Sequence, residues 1–219
     1  MDLKEKIIYH SDKFKKLIES QSGVKPLETE DWGWENYRYE GDRFRLAHVE
    51  RYFLDGMLIL HITCFPTQNY QNPVFGFDVV CAERTGKMSG AFLDLSPILY
   101  DKSFHNIQWN NDRKLPYWAT VFSKQFIAIR PTEDEHDKLF ETAYEIFENY
   151  LNELNSDTYR VEDVSVIEDI ITKQNEYCEY QAKNERTFAA LKHHVGEERA
   201  RYFMSKILFP KIETQSNPY

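Results

Sequence analysis

Four proton-carrying side chains sit inside runs that otherwise read as buried β-strand. His61 lies in residues 57–65, Asp78 in 74–83, and His48 and Glu50 in 44–52. Burying such groups costs free energy unless they are paired or used. Burial raises a carboxyl pKa and lowers that of an imidazole, unless the two stabilise each other as a charged pair. Either way they exchange protons near neutral pH, which is the requirement for general acid–base work.

Side chains alternate across a strand, so His48 and Glu50, two residues apart, share a face. Asp78 shares its face with Gly76 and Val80, and His61 with Ile59 and Thr63. Gly76 leaves room there for a ligand to approach. Three readings stand at this point. The set could be a proton-transfer site, a satisfied His–Asp pair that only fixes register, or two histidines and two carboxylates holding iron or zinc. Against the metal, H-x-E on a strand lacks the geometry of a helical H-E-x-x-H. His10, His105, His136, His193 and His194 lie in polar surroundings and read as surface residues.

The elements that must position these groups are legible from periodicity. Helical spacing of Leu3, Ile7, Phe14, Leu17 and Ile18 predicts an amphipathic helix over 2–20, followed by a loop over 21–36. Strands are expected at 37–40, 44–52, 57–65, 74–83 and 88–93. Turn dipeptides Gly41-Asp42, Asp55-Gly56 and Thr85-Gly86 join them as antiparallel hairpins. Residues 98–118 read as irregular. A further strand is expected at 124–129, ending at Arg130-Pro131, and Thr132 with Glu135 caps a helix to about residue 154. Helices over 161–193 and 196–208 follow, broken at Gly196, and the tail 213–219 reads as disordered. Strands in the middle with helices at both ends make an α+β fold in a single domain, 1–219, with both sheet faces covered.

Composition narrows the function classes. Apolar residues make up 42% and aromatic residues 15% of the 219, with 14 Tyr and 15 Phe, which suits a bulky core or a pocket for a flat conjugated ligand. A net charge of −9 argues against general nucleic-acid binding. Cys64, Cys81 and Cys178 are an odd number with no C-x-x-C, the pattern of reduced thiols in a cytoplasmic protein. The charged N-terminus has no apolar signal region, and no run reaches membrane-spanning length. Neither a nucleotide-binding glycine pattern nor G-x-S-x-G is present. Arg45, Arg130 and Arg186, with Asn184 nearby, are candidates to hold a ligand carboxylate, although each also reads as a surface residue.

The segments FRLAHVE, LHITCFPTQNY, NPVFGFDVV, SGAFLDLSP, LPYWATVFS, FIAIRP and KNERTFAALKHHVG–ILF occur in this order. In that order they resemble the ferredoxin-dependent bilin reductases. The resemblance covers nearly all of the chain from about residue 37, and the histidine–FP–FG-x-D combination is its specific part. It implies a three-layer α/β/α sandwich with a central antiparallel sheet. It further implies four-electron reduction of biliverdin IXα through radical intermediates, with reduced ferredoxin as external donor and no bound metal or flavin. Asp78 then resembles the central proton donor, and His61 the partner sharing a proton with it and the bilin lactam. Glu50 resembles the carboxylate serving exovinyl reduction, and His48 a member of the network behind it. Arg130 and Asn184 match positions on the propionate side, and Arg186 stands where the family has a lysine. The hairpin between His48 and His61 is one residue shorter than in the family. Retention of Glu50 tips the implied product to phycocyanobilin, with phycoerythrobilin or a non-catalytic bilin carrier as alternatives. A monomer is expected. Docking an acidic ferredoxin on an acidic chain requires a local basic patch. Candidates are Lys192, Arg199, Arg201, Lys206 and Lys211, or Lys102, Arg113 and Lys114.

Overall fold

The computed structural model describes residues 1–100, 107–114 and 120–213, in two compact units, Met1–Arg160 and Val161–Tyr219. The first unit opens with α1 (Leu3–Glu19), started by a capping box. Asp2 Oδ1 accepts from Glu5 N at 2.8 Å and Glu5 Oε2 from Asp2 N at 2.9 Å. Strands β1 (Lys25–Pro26), β2 (Glu35–Glu40), β3 (Phe44–Tyr52), β4 (Met57–Pro66), β5 (Val74–Ala82), β6 (Lys87–Ser96) and β7 (Ile127–Ile129) follow. Among the described residues they form one antiparallel sheet in sequence order. Short connections dictate that order from β2 to β6, and β7 pairs with β6 after residues 97–126. Asp55 and Gly56 adopt φ of 54° and 71°, the left-handed pair a tight hairpin turn between β3 and β4 demands.

Some boundaries differ from expectation. The expected loop 21–36 contains β1 and the start of β2. The strand expected at 124–129 shortens to β7, because Ser123–Phe126 closes a turn. Thr132 and Glu135 form the expected capping box, entering α2 (His136–Asn155) through a 3-10 turn.

The core lies on one sheet face. Val49, Ile62, Phe77, Leu93 and Ile127 form a cross-strand row there, all buried. Phe14 of α1 stacks on Phe77 at 6.0 Å between centroids, and Phe147 of α2 lies 4.6 Å from Phe75. The opposite face was expected to be equally buried. Instead β5 alternates, with Gly76, Asp78 and Val80 half-buried between buried neighbours. An apolar run does not distinguish a sealed face from a half-open one, because much protein surface is itself apolar.

Two histidines expected at the surface are buried. His10 continues the α1 stripe of Leu3, Ile7 and Phe14 and stacks flat on Phe140 of α2 at 4.4 Å, and His136 is buried nearby. Burial, then the neighbouring Lys13 charge, lowers the His10 pKa from 6.5 to about 4. The unfolded chain binds that proton more tightly, so this stability is present above pH 6.5 and is lost as pH falls towards 4. His10→Leu is therefore expected to flatten the acid limb of thermal stability between those values. An unchanged acid limb in melts at pH 4 to 7 would refute this.

The second unit is helical: α3 (Val164–Gln181), α4 (Glu185–Val195), α5 (Glu197–Tyr202) and a π-helical turn, Phe203–Leu208. The single helix expected over 161–193 is two helices. Asn184 breaks it, because its side chain accepts from Arg186 N and Thr187 N and so caps α4. Asn175 ties the chain end back by donating to Ile212 O at 3.1 Å and accepting from Ile212 N at 2.8 Å. No described helix is long and apolar enough to cross a membrane.

Candidate active site

The register of the sheet gathers the four groups. On the face away from the core, Asn36, Glu50, His61, Asp78, Phe92 and Ala128 stand opposite one another on β2 to β7. A second row, one pleat along, holds Arg38, His48, Thr63, Gly76 and Asp94. Neighbouring strands lie about 4.8 Å apart, so facing side chains touch.

His61 Nδ1 donates to Asp78 Oδ1 at 2.6 Å; the Asp78 side chain is 39% exposed and that of His61 only 11%. Burial opposes a charge on His61, but the Asp78 carboxylate, its hydrogen bond and Glu50 outweigh it, so the His61 pKa is raised. His48 goes the other way. It is fully buried, faces Arg38, and its ring lies 5.8 Å from that of His61; burial and these cations hold its pKa well below 6.5. Its Nε2 donates to Asn36 Oδ1 at 2.9 Å, which leaves Nδ1 as the bare ring nitrogen.

Glu50 is 5% exposed and accepts from the Trp34 indole N–H at 2.7 Å. Burial pushes its carboxyl from 4.5 up to about 7, against the opposing pull of His61 and Trp34. The row therefore joins an imidazole whose pKa is raised, hydrogen-bonded to Asp78, with a Glu50 carboxyl held at about 7. Three side chains able to carry a proton, buried to different degrees, share this face of the sheet. Among the described residues no group of three or more His, Cys, Asp or Glu could hold a metal ion.

Residues 10–210 match the family model described as ferredoxin-dependent bilin reductase. The chain belongs to that family. It is a ferredoxin-dependent bilin oxidoreductase, and reduced ferredoxin is the family's electron donor. Phycocyanobilin:ferredoxin oxidoreductase of Trichodesmium erythraeum (strain IMS101) is 30% identical over 197 residues, spanning 84% of this chain and 78% of the relative. The enzyme of the same name from Synechococcus elongatus is 29% identical over 196 residues, with the same coverage. The fold is shared with phytochromobilin synthase from tomato, solved in complex with biliverdin. That match has a TM-score of 0.71 and 18% identity, over 94% of this chain and 82% of that one. A PcyX structure matches with a TM-score of 0.66 and 24% identity, over 94% and 99%.

The other expected binding residues of this bilin reductase come from separate elements. Arg45 lies half-buried over the Phe65 ring at 4.5 Å, beside the β-bulge that opens β3. Arg130 is exposed just past β7, on a cleft it shares with Asn111, Asp112, Arg113 and Lys114. Asn184 and Arg186 are exposed at the start of α4, where the Asn184 side-chain oxygen is committed to its cap. Of the basic patch candidates, Lys192 and Arg201 pair with Glu197, Lys206 with Glu213, and Lys211 with Glu179. Lys102 falls outside the described residues.

Sequence reasoning missed three site-face residues. Trp34 closes over Glu50, and Asn36 orients His48; both come from what read as a loop. Asp94, 2% exposed, accepts from Ser96 Oγ at 2.6 Å, Ser123 N at 3.0 Å and Ser123 Oγ, docking the segment before β7 onto β6. Period-two alternation from Phe92 was a signal for Asp94. Nothing local marks Trp34.

Proposed function

We propose that this chain reduces biliverdin IXα to phycocyanobilin, adding four electrons from ferredoxin one at a time and four protons that come from solvent and pass through the Glu50–His61–Asp78 row. The observation that carries this is the 2.6 Å His61–Asp78 bond beside a Glu50 carboxyl held at about 7. Each electron makes the bilin more basic, and a proton source within hydrogen-bond reach then neutralises it. In this reading Asp78 is the central donor, shared with His61, and Glu50 serves exovinyl reduction with His48 behind it. Arg45, Arg130, Asn184 and Arg186 hold the propionates. Curated relatives that act on phycocyanobilin by name favour that product over phycoerythrobilin.

The test is an anaerobic assay with biliverdin, ferredoxin and a reducing system, read by absorbance and chromatography. Phycocyanobilin is expected. Phycoerythrobilin would reassign the regiochemistry, and binding without conversion would replace catalysis by carriage.

A further inference from the structure

Trp34 stands where the chain enters the sheet, immediately before β2, and the turn ahead of it sets its place. Asp31 Oδ1 accepts from Gly33 N at 2.9 Å, and Gly33 takes a φ of 84°, a left-handed value that glycine adopts at no steric cost. The indole that follows packs edge-on against Tyr52 at 5.2 Å between centroids and lies 6.0 Å from Trp32. Tyr52 and Trp32 are both buried, and the Tyr52 hydroxyl donates to Asp55 Oδ2 at 3.0 Å. Both rings hold the indole, and its N–H meets Glu50 Oε1 at 2.7 Å from a fixed direction.

An indole nitrogen can only donate a hydrogen bond. Glu50 Oε1 must then accept, so when the carboxyl is protonated its hydrogen sits on Oε2. Titratable neighbours act on Glu50 through space: His61 opposite it on β4, Asp78 next in the row on β5, and His48 and Tyr52 on either side of it along β3. Trp34 carries no charge at any pH and acts through a directed bond.

We infer that Trp34 is a positioning residue for proton transfer from Glu50: it keeps Oε1 as the acceptor, puts the proton on Oε2 and steadies the anion left behind. The inference rests on Glu50 serving exovinyl reduction. As the proton leaves, the O–H bond at Oε2 breaks and a C–H bond forms on the vinyl group, whose added electron comes from ferredoxin. The Trp34 bond strengthens as Glu50 becomes a carboxylate, because a hydrogen bond to an ionised acceptor is roughly twice as strong as a neutral one. Part of that gain is already present in the transition state, and there it accelerates the step. Solvent then returns the proton to Oε2.

Trp34→Phe keeps an aromatic ring against Tyr52 and removes the donor. It is expected to leave biliverdin binding within a few-fold and to slow exovinyl reduction about tenfold or more. The alkaline limb of that step should move up by about one pH unit or more, since the bond that favoured the carboxylate is gone. Combined with Glu50→Gln, the Trp34 change should add no further loss, because both act through one proton. An additive loss, an unmoved limb, or weakened binding at an unchanged rate would overturn the inference. Infrared spectra taken below pH 7 test it without turnover. The carbonyl stretch identified by its loss in Glu50→Gln is expected at the frequency of a hydrogen-bonded acid. A free-carbonyl frequency in the unmodified protein would overturn the inference, whether or not Trp34→Phe folds. Failure of the unmodified protein to convert biliverdin would instead overturn the functional reading beneath it, and the infrared band would still decide which oxygen carries the proton.

Discussion

Asp78→Asn is expected to leave biliverdin bound within a few-fold and to lower turnover by about 10²- to 10⁴-fold, the usual worth of a positioned acid. The amide keeps the shape and can still accept from His61 Nδ1, but it carries neither the charge nor an exchangeable carboxyl proton. Two losses follow from the geometry. The half-exposed carboxyl that faces the open side is gone, and so is the charge that holds the His61 pKa up against burial. Electrons from ferredoxin would then arrive faster than protons, so a partly reduced radical should accumulate, visible by electron paramagnetic resonance. Turnover at the unmodified rate would remove Asp78 from the role proposed for it.

Glu50→Gln is expected to separate stability from activity. The folded protein holds the Glu50 proton up to about pH 7, whereas the unfolded chain releases it near 4.5. The sign follows from linkage: this contribution to stability is fully present below pH 4.5 and is lost as pH rises through 7. Across that window of 2.5 pKa units the loss is about 3 kcal/mol, at 1.36 kcal/mol per unit. Glutamine carries no charge to bury and keeps an oxygen for the Trp34 N–H, so the variant should melt higher than the parent at pH 8. The gain is on the order of 5–10 °C for a chain of this size, with little difference at pH 5. Under the proposed function the same variant should stop after part of the reduction, accumulating a two-electron product. An equal melting temperature at pH 8 would mean that Glu50 is not buried as a neutral acid.

Much of the fold was legible because local physics dictates it. The apolar stripe of Leu3, Ile7, Phe14 and Ile18 marks α1, and the Thr132/Glu135 capping box marks the entry to α2. Turn dipeptides between short apolar runs leave an antiparallel meander as the natural arrangement, and β2 to β6 follow it. Alternation alone places His48 with Glu50 on one face. The break at Asn184 was less visible, since a capping side chain inside a helical pattern looks like any polar surface residue until it turns back on Arg186 N and Thr187 N.

By itself, then, the sequence determined the chemistry on offer: which strands carry an acid or an imidazole, on which side of each strand, and within which family of motifs. Only the tertiary structure decided which of these groups meet. Strand register is set by the pairing of whole strands and the packing of one face on α1 and α2, a property no single strand encodes. That register turns residues up to 92 positions apart, from Asn36 to Ala128, into one row. It also decides the charge states, because burial and neighbours, not residue type, raise His61, lower His48 and bring Glu50 to neutrality. Trp34 over Glu50 and Arg113 over Phe92 belong to the same class. Each is placed by a contact between segments distant in sequence, and the free energy that fixes it appears only once the sheet has closed around it.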